Sequence, residues 1–515
     1  MKSFWLSLVF LAALYLYTAP VYVADHDSAE FNTIAVTGGI AHPPGYPLLS
    51  TLQITFLKLP QPISNQDQLS LLSIIFMLIA FYLCFQLSRL LSFNPRLSAI
   101  ACLILFTSEP VWRMATSSEP FALNFLMASA IFYFILRGLY SPQKILALVI
   151  IWHVISLGIS NHHSLALLLP IIIAGSIKII KRLPKKQRGR ALIYSILSFI
   201  LGLWPLFYLN FANENSAFYW GNWDDFFPRL AHHILRRDYG TLSLLASDNQ
   251  TSYLSQKTFF VNLPFYFSWV FLAVIGVGIW SLYSNSKYKQ TAYLYAVIAF
   301  LMNSIIFFGL FNVNDPAIVL DMCFRFFMLA ILFLLPFLAL GLSELSSKVP
   351  EKIWKSALIV ALVFHIAWQF KKSDRSQQIA QHYFINDVLN LVAPKAVIFT
   401  FDDPAYYGLT YGAEVLRKDK PVVVVNALLW SQPWYRQQVM TRLDAPGEFV
   451  DLDLNKLLKV LSQQHFVVLV GSFPVELQQH PSYPIGPIVV LSNAKIPLPL
   501  PLTLLKQNVS LHAEL

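Results

Sequence analysis

The chain has 515 residues, of which 56% are hydrophobic, 15% aromatic and 12% charged, against roughly 25% charged in an ordinary soluble domain. Windows of about 20 apolar residues, each enough to cross a bilayer, recur along it, which excludes a soluble globular enzyme and implies a polytopic membrane protein. The net charge of +10 does not point to a nucleic-acid partner, because the basic residues sit mostly in short loops between apolar runs, where orientation rules place them.

The first apolar run, 4–23, is longer than the roughly 7–15-residue core of a signal peptide and reads as a retained helix. Further runs at 68–91, 97–110, 120–140, 145–160, 163–180, 191–211, 259–283, 290–311, 323–344 and 353–370 bring the expected spans to about eleven. Under that count Lys2, Arg89, Arg96, Arg137, Lys144, the basic stretch Lys178–Arg190, Lys287, Lys289, Lys348, Lys352 and Lys355 all face the cytoplasm. A first loop at about 24–67, the WRMATSSEP and SNHHS segments, a long loop at about 212–258 and NVNDPAIVLD face the other side. Beyond about Lys371 polar residues rise, and short β-rich runs follow at 396–401, 421–427, 466–472 and 487–492. The expected organisation is a membrane domain over 1–370 and a small α/β domain over 371–515, the latter outside the cytoplasm. Cys84, Cys102 and Cys323 lie inside apolar runs without metal or redox spacing and read as buried thiols.

The chemistry concentrates in Ala24–Leu49, ADHDSAEFNTIAVTGGIAHPPGYPLL. Asp25, His26, Asp27, Glu30 and His42 crowd into it, and Pro43, Pro44, Gly45 and Pro47 stiffen its end. Asp27 and Glu30 are spaced to share one helix face. Carboxylates beside apolar and aromatic groups are candidates for a raised pKa and for base chemistry. The competing interpretation is a solvated loop whose acids cap a helix.

DSAEF followed by GIAHPPGYPL resembles the signature of the DUF2723 family of polytopic membrane proteins, which is related to a transmembrane protein O-mannosyltransferase. WRMATSSEPFALN, GISNHHSLALLLP and FYWGNWDDFFPRLAHHILRRDYG follow in the same order, and AVIFTFDDPAYYGLTYGAEVLRKDKPVVVV more loosely. Ala29 stands where the family often has Gly, and Pro120 where it often has Tyr. The resemblance implies a mainly α, GT-C-like helical membrane bundle and an inverting glycosyltransferase. The donor would be a polyprenyl-phosphate sugar, with mannose and protein Ser/Thr hydroxyls as the favoured pair and a lipid or glycan as the alternative acceptor.

Carried over by position, the catalytic acid is Asp27, acting as general base on the acceptor hydroxyl. Glu30 orients the acceptor or tunes Asp27, since neighbouring carboxylates raise each other's pKa. The departing lipid phosphate needs cations or donors, for which His42, Arg325, Arg236, Arg237 and Arg113 are candidates. Bland roles compete: Arg325 could pair with Asp321, and Arg113 could anchor a headgroup. Glu119, His162, His163, Tyr46 and Trp220 are candidate acceptor or sugar contacts. Trp220 and Trp223 equally suit an interfacial belt, and adjacent histidines without a third ligand argue against metal, so no cofactor is expected. Asp402 and Asp403, ending an expected strand, form a weaker second site. The Asn508 sequon carries no expectation.

A transporter or flippase of lipid-linked sugars is the alternative, although it would place ionisable groups deep in several spans and often shows internal repeats. The expected location is the bacterial inner membrane, with the site on the periplasmic side. The expected partners are the lipid donor, the acceptor and the bilayer, with no nucleic acid.

Overall fold

The computed structural model describes residues 2–24, 27–60, 62–221, 225–238, 253–284, 289–309, 319, 324–474, 477 and 482–491. Asp25, His26, Trp223, Lys287, Asp321, Cys323 and Asn508 lie outside them. The chain clusters into two compact units. The first comprises Met1–Val21, Ile40–Ala212 and Phe226–Gln377; the second comprises Tyr22–Gly39, Asn213–Asp225 and Gln378–Leu515.

The first unit is a helical bundle of a multi-pass membrane protein. Seven helices among the described residues are long and apolar enough to cross a bilayer: Asn65–Leu90, Phe121–Tyr140, His163–Lys181, Lys185–Asn210, Leu254–Ser284, Gln290–Gly309 and Glu351–Ser373. Two bent pairs raise the number to nine if each is one span. Pro95–Phe106 meets Glu109–Ala115 at 77°, and Phe324–Leu332 meets Leu335–Lys348 at 54°. At the first bend Thr107 and Ser108 turn their hydroxyls onto the carbonyls of Leu103 and Leu105, and Pro110 removes a helical donor. The expected count of about eleven is therefore not reproduced. Lys2–Thr18, with 17 residues, and Lys144–Ile159, with 16, are apolar but shorter than the roughly 20 residues of an average span.

Burial separates the helices. Phe121–Tyr140 is buried along nearly its whole length. Lys185–Gly202 and Glu351–Ser373 instead expose Leu192, Ile193, Leu201, Ile359, Val360 and Val363, as lipid-facing helices do. With lipid tails as apolar as leucine, helix association relies on close packing. Gly278 and Gly341 supply it where Leu254–Ser284 crosses Leu335–Lys348. A Cβ on Gly278 would stand 2.0 Å from the carbonyl oxygen of Phe337, and one on Gly341 would stand 1.9 Å from that of Val274.

The basic loops meet at one end of this bundle. The Lys178 ammonium donates to Thr291 at 2.8 Å, and Arg182 donates to the carbonyl of Leu139. Lys289 reaches the carbonyl of Leu90 and lies 4.8 Å from the Tyr140 ring.

The second unit is built on a five-stranded sheet of order β2-β1-β3-β5-β4. Its strands are β1 Val397–Thr400, β2 Val423–Asn426, β3 Val467–Val470, β4 Ser482–Ile485 and β5 Ile488–Leu491. The first three are parallel, with Val397 opposite Val423 and Val467; β5 and β4 complete the sheet antiparallel. β1 and β3 are buried at every residue, the pattern of parallel strands covered on both faces. The four expected β-rich runs correspond to β1, β2, β3 and β5. The helix Ser28–Thr37, from the first expected loop, belongs to this unit and packs on the Asp403–Tyr411 helix.

Gly341→Val should lower stability by about 1–3 kcal/mol, the usual cost of overpacking. Gly276→Ala, on the same helix as Gly278 but with open space around it, should leave stability unchanged or slightly raised. Thermal unfolding in detergent distinguishes the two.

Candidate active site

Several expected site residues come together at one end of the membrane bundle. The HPPGYP segment enters it through a tight turn. Gly45 has a left-handed backbone, φ +85°, and any Cβ there would sit 3.1 Å from His233 Nδ1 and 3.2 Å from Leu209 Cδ2. Tyr46 follows, also left-handed at φ 45°, and opens the Pro47–Leu57 helix. Its hydroxyl lies 3.1 Å from His42 Nε2, and its ring is 5.8 Å from that of His162. The backbone N–H of Leu48 donates to Ser160 at 3.2 Å, which fixes this segment against the SNHHS turn.

His162 is framed by Phe121 and Phe326, with ring separations of 5.6 and 5.5 Å. Its Nδ1 accepts the backbone N–H of Ser164 at 3.1 Å, which requires that nitrogen to be unprotonated. Burial, and then the nearby His163, Arg236, His42 and Arg325, push the pKa of His162 well below its usual value. The ring is thus a neutral group in a cationic setting, outside the span that begins at His163.

Arg325 and Glu119 form the buried core of this end. Nη1 of Arg325 lies 3.3 Å from Oε2 of Glu119, with side-chain exposures of 9% and 4%. The guanidinium also stands 5.7 Å from the Phe121 ring centre. The loop carrying Glu119 is tied down on both sides: Gln53 donates to the carbonyl of Ser118 at 2.7 Å, and Arg375 to the Ser117 hydroxyl at 2.6 Å. The Glu119 pairing across 206 residues is the feature sequence reasoning missed; Asp321, the alternative partner it offered for Arg325, lies outside the described residues.

The remaining candidates have other partners. Arg113 lies 3.8 Å from Glu109, which Lys372 also approaches at 3.3 Å, and stacks 4.8 Å from the Phe324 ring. Arg237 closes a backbone turn onto His232 at 3.2 Å, and His232 in turn lies 2.7 Å from Asp238. Trp220 is in the second unit, buried 5.5 Å from Trp434.

Asp27 and Glu30 also belong to the second unit. Asp27 occupies the position before the Ser28–Thr37 helix, but its side chain makes no capping bond, and Glu30 is wholly inaccessible to solvent. Asp402 does act as a cap, accepting the N–H of Ala405 at 2.8 Å, and Asp403 accepts from the Asn426 amide at 3.1 Å; both ends of this second candidate pair are occupied in joining β1 and β2 to a helix. Among the described residues no group of three or more His, Cys, Asp or Glu could hold a metal ion.

The solved structure of ArnT from Cupriavidus metallidurans bound to undecaprenyl phosphate superposes with a TM-score of 0.59 at 12% identity, covering 95% of this chain and 98% of that one. The fold is that of the GT-C membrane proteins, as the sequence resemblance implied. Residues 27–187 match the family model described as the protein O-mannosyl-transferase TMEM260 N-terminal domain. Protein O-mannosyl-transferase tmem260 of Dictyostelium discoideum is 23% identical over 85% of this chain and 59% of its own length. Protein O-mannosyl-transferase TMEM260 of Mus musculus is 29% identical over 46% of this chain and 34% of its own. The chain thus spans between a third and three-fifths of the length of these curated relatives.

Glu119→Gln removes a buried negative charge 3.3 Å from the Arg325 guanidinium and should destabilise the protein more than replacing both partners with apolar residues of similar volume. Unfolding of the single and double variants in detergent measures the difference. A second expectation concerns pH. The unfolded chain carries His162 with a pKa near 6.5, above its folded value, so the unfolded state binds more protons between the two. The stability from neutral His162 is complete above about pH 6.5 and is lost as pH falls toward the folded value. Melting temperatures from pH 7.5 to 5.5 should fall in the wild type and fall less in His162→Asn, whose amide can keep the bond to Ser164.

Proposed function

We propose that this chain is a membrane glycosyltransferase that moves a sugar from a polyprenyl-phosphate carrier to an acceptor hydroxyl with inversion at the anomeric carbon. The observation that carries this reading is the gathering of His42, Tyr46, His162, Arg236 and Arg325 at one end of the bundle. Such an end suits a substrate whose lipid tail lies in the bilayer and whose phosphate lies at its surface. The names of the two relatives favour mannose as the sugar and a protein hydroxyl as the acceptor.

In this mechanism Arg325 and Arg236 balance the phosphate as the sugar–phosphate bond lengthens and negative charge builds on the leaving oxygen. His42, positioned through Tyr46, donates a hydrogen bond to it. Glu119 holds the Arg325 guanidinium in place. Asp27 accepts the proton of the acceptor hydroxyl as that oxygen attacks the anomeric carbon, and Glu30, one turn along the same helix, orients the acceptor. The transition state resembles an oxocarbenium ion, as in glycoside chemistry. The chain's own side chains supply each of these roles, and no divalent metal is assigned one. The basic loops meeting around Lys178, Arg182 and Lys289 support an orientation with that end in the cytoplasm. The site then faces the periplasm across a bacterial inner membrane.

Purified protein in nanodiscs should release polyprenyl phosphate from a polyprenyl-phosphate mannose donor in the presence of a Ser/Thr-containing peptide. Asp27→Asn should lower turnover by about 10²–10⁴-fold, the usual worth of a general base, with unfolding unchanged. Full turnover in Asp27→Asn would remove the base assignment.

A further inference from the structure

Residues 117–120, in the turn between the Glu109–Ala115 and Phe121–Tyr140 helices, are held one after another. Arg375 donates to the Ser117 hydroxyl at 2.6 Å, Gln53 donates to the Ser118 carbonyl at 2.7 Å, and Arg325 meets Glu119 at 3.3 Å. The last hold is on Pro120. Its carbonyl accepts the backbone N–H of Asn124 at 2.9 Å and the side-chain amide of Asn161 at 3.1 Å. A carbonyl oxygen has two lone pairs, so both bonds form together.

Asn161 belongs to the SNHHS turn and is wholly buried. Its bond ties that turn to the start of the Phe121–Tyr140 helix. A second tie runs the other way: the side-chain amide of Asn124, also wholly buried, donates to the Ser164 hydroxyl at 2.8 Å. Each tie ends beside a polar group of the site. Pro120 follows Glu119, whose carboxylate holds Arg325. Ser164 gives its backbone N–H to His162 Nδ1 at 3.1 Å. Phe121 packs between them, 5.6 Å from the His162 ring and 5.1 Å from that of Phe326. The amide is the suitable group for this work. It can bond a buried carbonyl or hydroxyl, and it adds no charge beside the guanidinium that would itself need a partner.

We propose that Asn161, supported by Asn124, is a positioning residue for the Arg325 guanidinium, acting through the Pro120 carbonyl and the Glu119 carboxylate. The two amides fix the spacing between Arg325 and His162 while negative charge builds on the leaving oxygen. The effect on turnover rests on the glycosyltransferase reading; the coupling of Asn161 to Arg325 does not.

The test uses the full chain in nanodiscs, with Asn161→Leu, Asn124→Leu and Arg325→Lys made singly and Asn161→Leu combined with Arg325→Lys. Leucine is close to asparagine in shape, and after Asn161→Leu the Pro120 carbonyl keeps its bond to the Asn124 N–H, so the variant remains foldable. Asn161→Leu should lower kcat by about 10- to 100-fold, the effect of a misplacement of about 1 Å, and leave KM for the lipid donor unchanged, because the contact being misaligned acts in the transition state. Asn124→Leu should lower kcat in the same way. In Arg325→Lys, which lacks the rigid fork of the guanidinium, Asn161→Leu should cost little further. A residue that only stabilises the fold would not show that dependence. Unchanged kcat in Asn161→Leu, a raised KM at unchanged kcat, or losses that multiply in the double variant would overturn the proposal. If the wild type transfers no sugar, the proposed function fails; if Arg325→Lys alone is inactive, that function stands. In both cases melting decides the coupling: the Tm shift of Asn161→Leu should be smaller in Arg325→Lys than in the wild type, and additive shifts would overturn it. If Arg325→Lys lowers transfer while Asn161→Leu turns over normally, the function stands and this inference falls.

Discussion

Arg325 is a guanidinium buried in a membrane protein, where an uncompensated charge costs several kcal/mol. Its counter-charge, Glu119, comes from a loop 206 residues earlier. That loop is held in turn by Gln53 and Arg375. The pair therefore joins the turn between Glu109–Ala115 and Phe121–Tyr140 to the start of the second bent helix pair, and the arrangement around His162 follows from it. Phe121, two residues after Glu119, lies under the guanidinium and against the His162 ring; Phe326, the residue after Arg325, closes the other side. One electrostatic requirement thus places the aromatic frame and the polar groups within it. A buried ion pair is weak evidence of net stability, and its use here is to fix geometry.

The same physics sets the two ends of the bundle apart. At one end lysines and arginines satisfy helix-terminal carbonyls and hydroxyls of neighbouring loops, as Lys178, Arg182 and Lys289 do. At the other, cations are interleaved with histidine, tyrosine and phenylalanine, and His162 is driven neutral by burial and by the charges around it. The first arrangement anchors a membrane protein. The second concentrates donors and positive charge where a lipid-borne anion would arrive.

Much of this could be read from the sequence, and the failures have identifiable causes. Apolar runs located nearly every membrane helix because hydropathy is a local signal. The count of about eleven is not confirmed among the described residues, where Lys2–Thr18 and Lys144–Ile159 are apolar but short. The strands β1, β2, β3 and β5 were visible as β-branched runs, whereas β4, Ser482–Ile485, contains Pro484 and carries no such signature. In the site, the rigid HPPGYP turn and the neighbouring His162 were legible as motifs. The partnership of Arg325 with Glu119 was not, because a pairing across 206 residues leaves no trace in spacing. The burial of Glu30 was hidden for a related reason. The helix that carries it looks polar and loop-like in sequence, with its mixed acids, serine and threonine, and packing on Asp403–Tyr411 and the Gly412–Leu416 turn removes it from water.

The central claim is that the cation-lined end of the bundle handles a lipid-linked sugar chemically. The most direct measurement follows an isotope-labelled polyprenyl-phosphate mannose in proteoliposomes containing the wild-type protein and a hydroxyl-bearing peptide, with NMR of the product. The account predicts equal amounts of polyprenyl phosphate and glycosylated peptide, the sugar carrying the anomeric configuration opposite to that of the donor. Intact donor that has only changed leaflet would contradict it and identify the protein as a transporter.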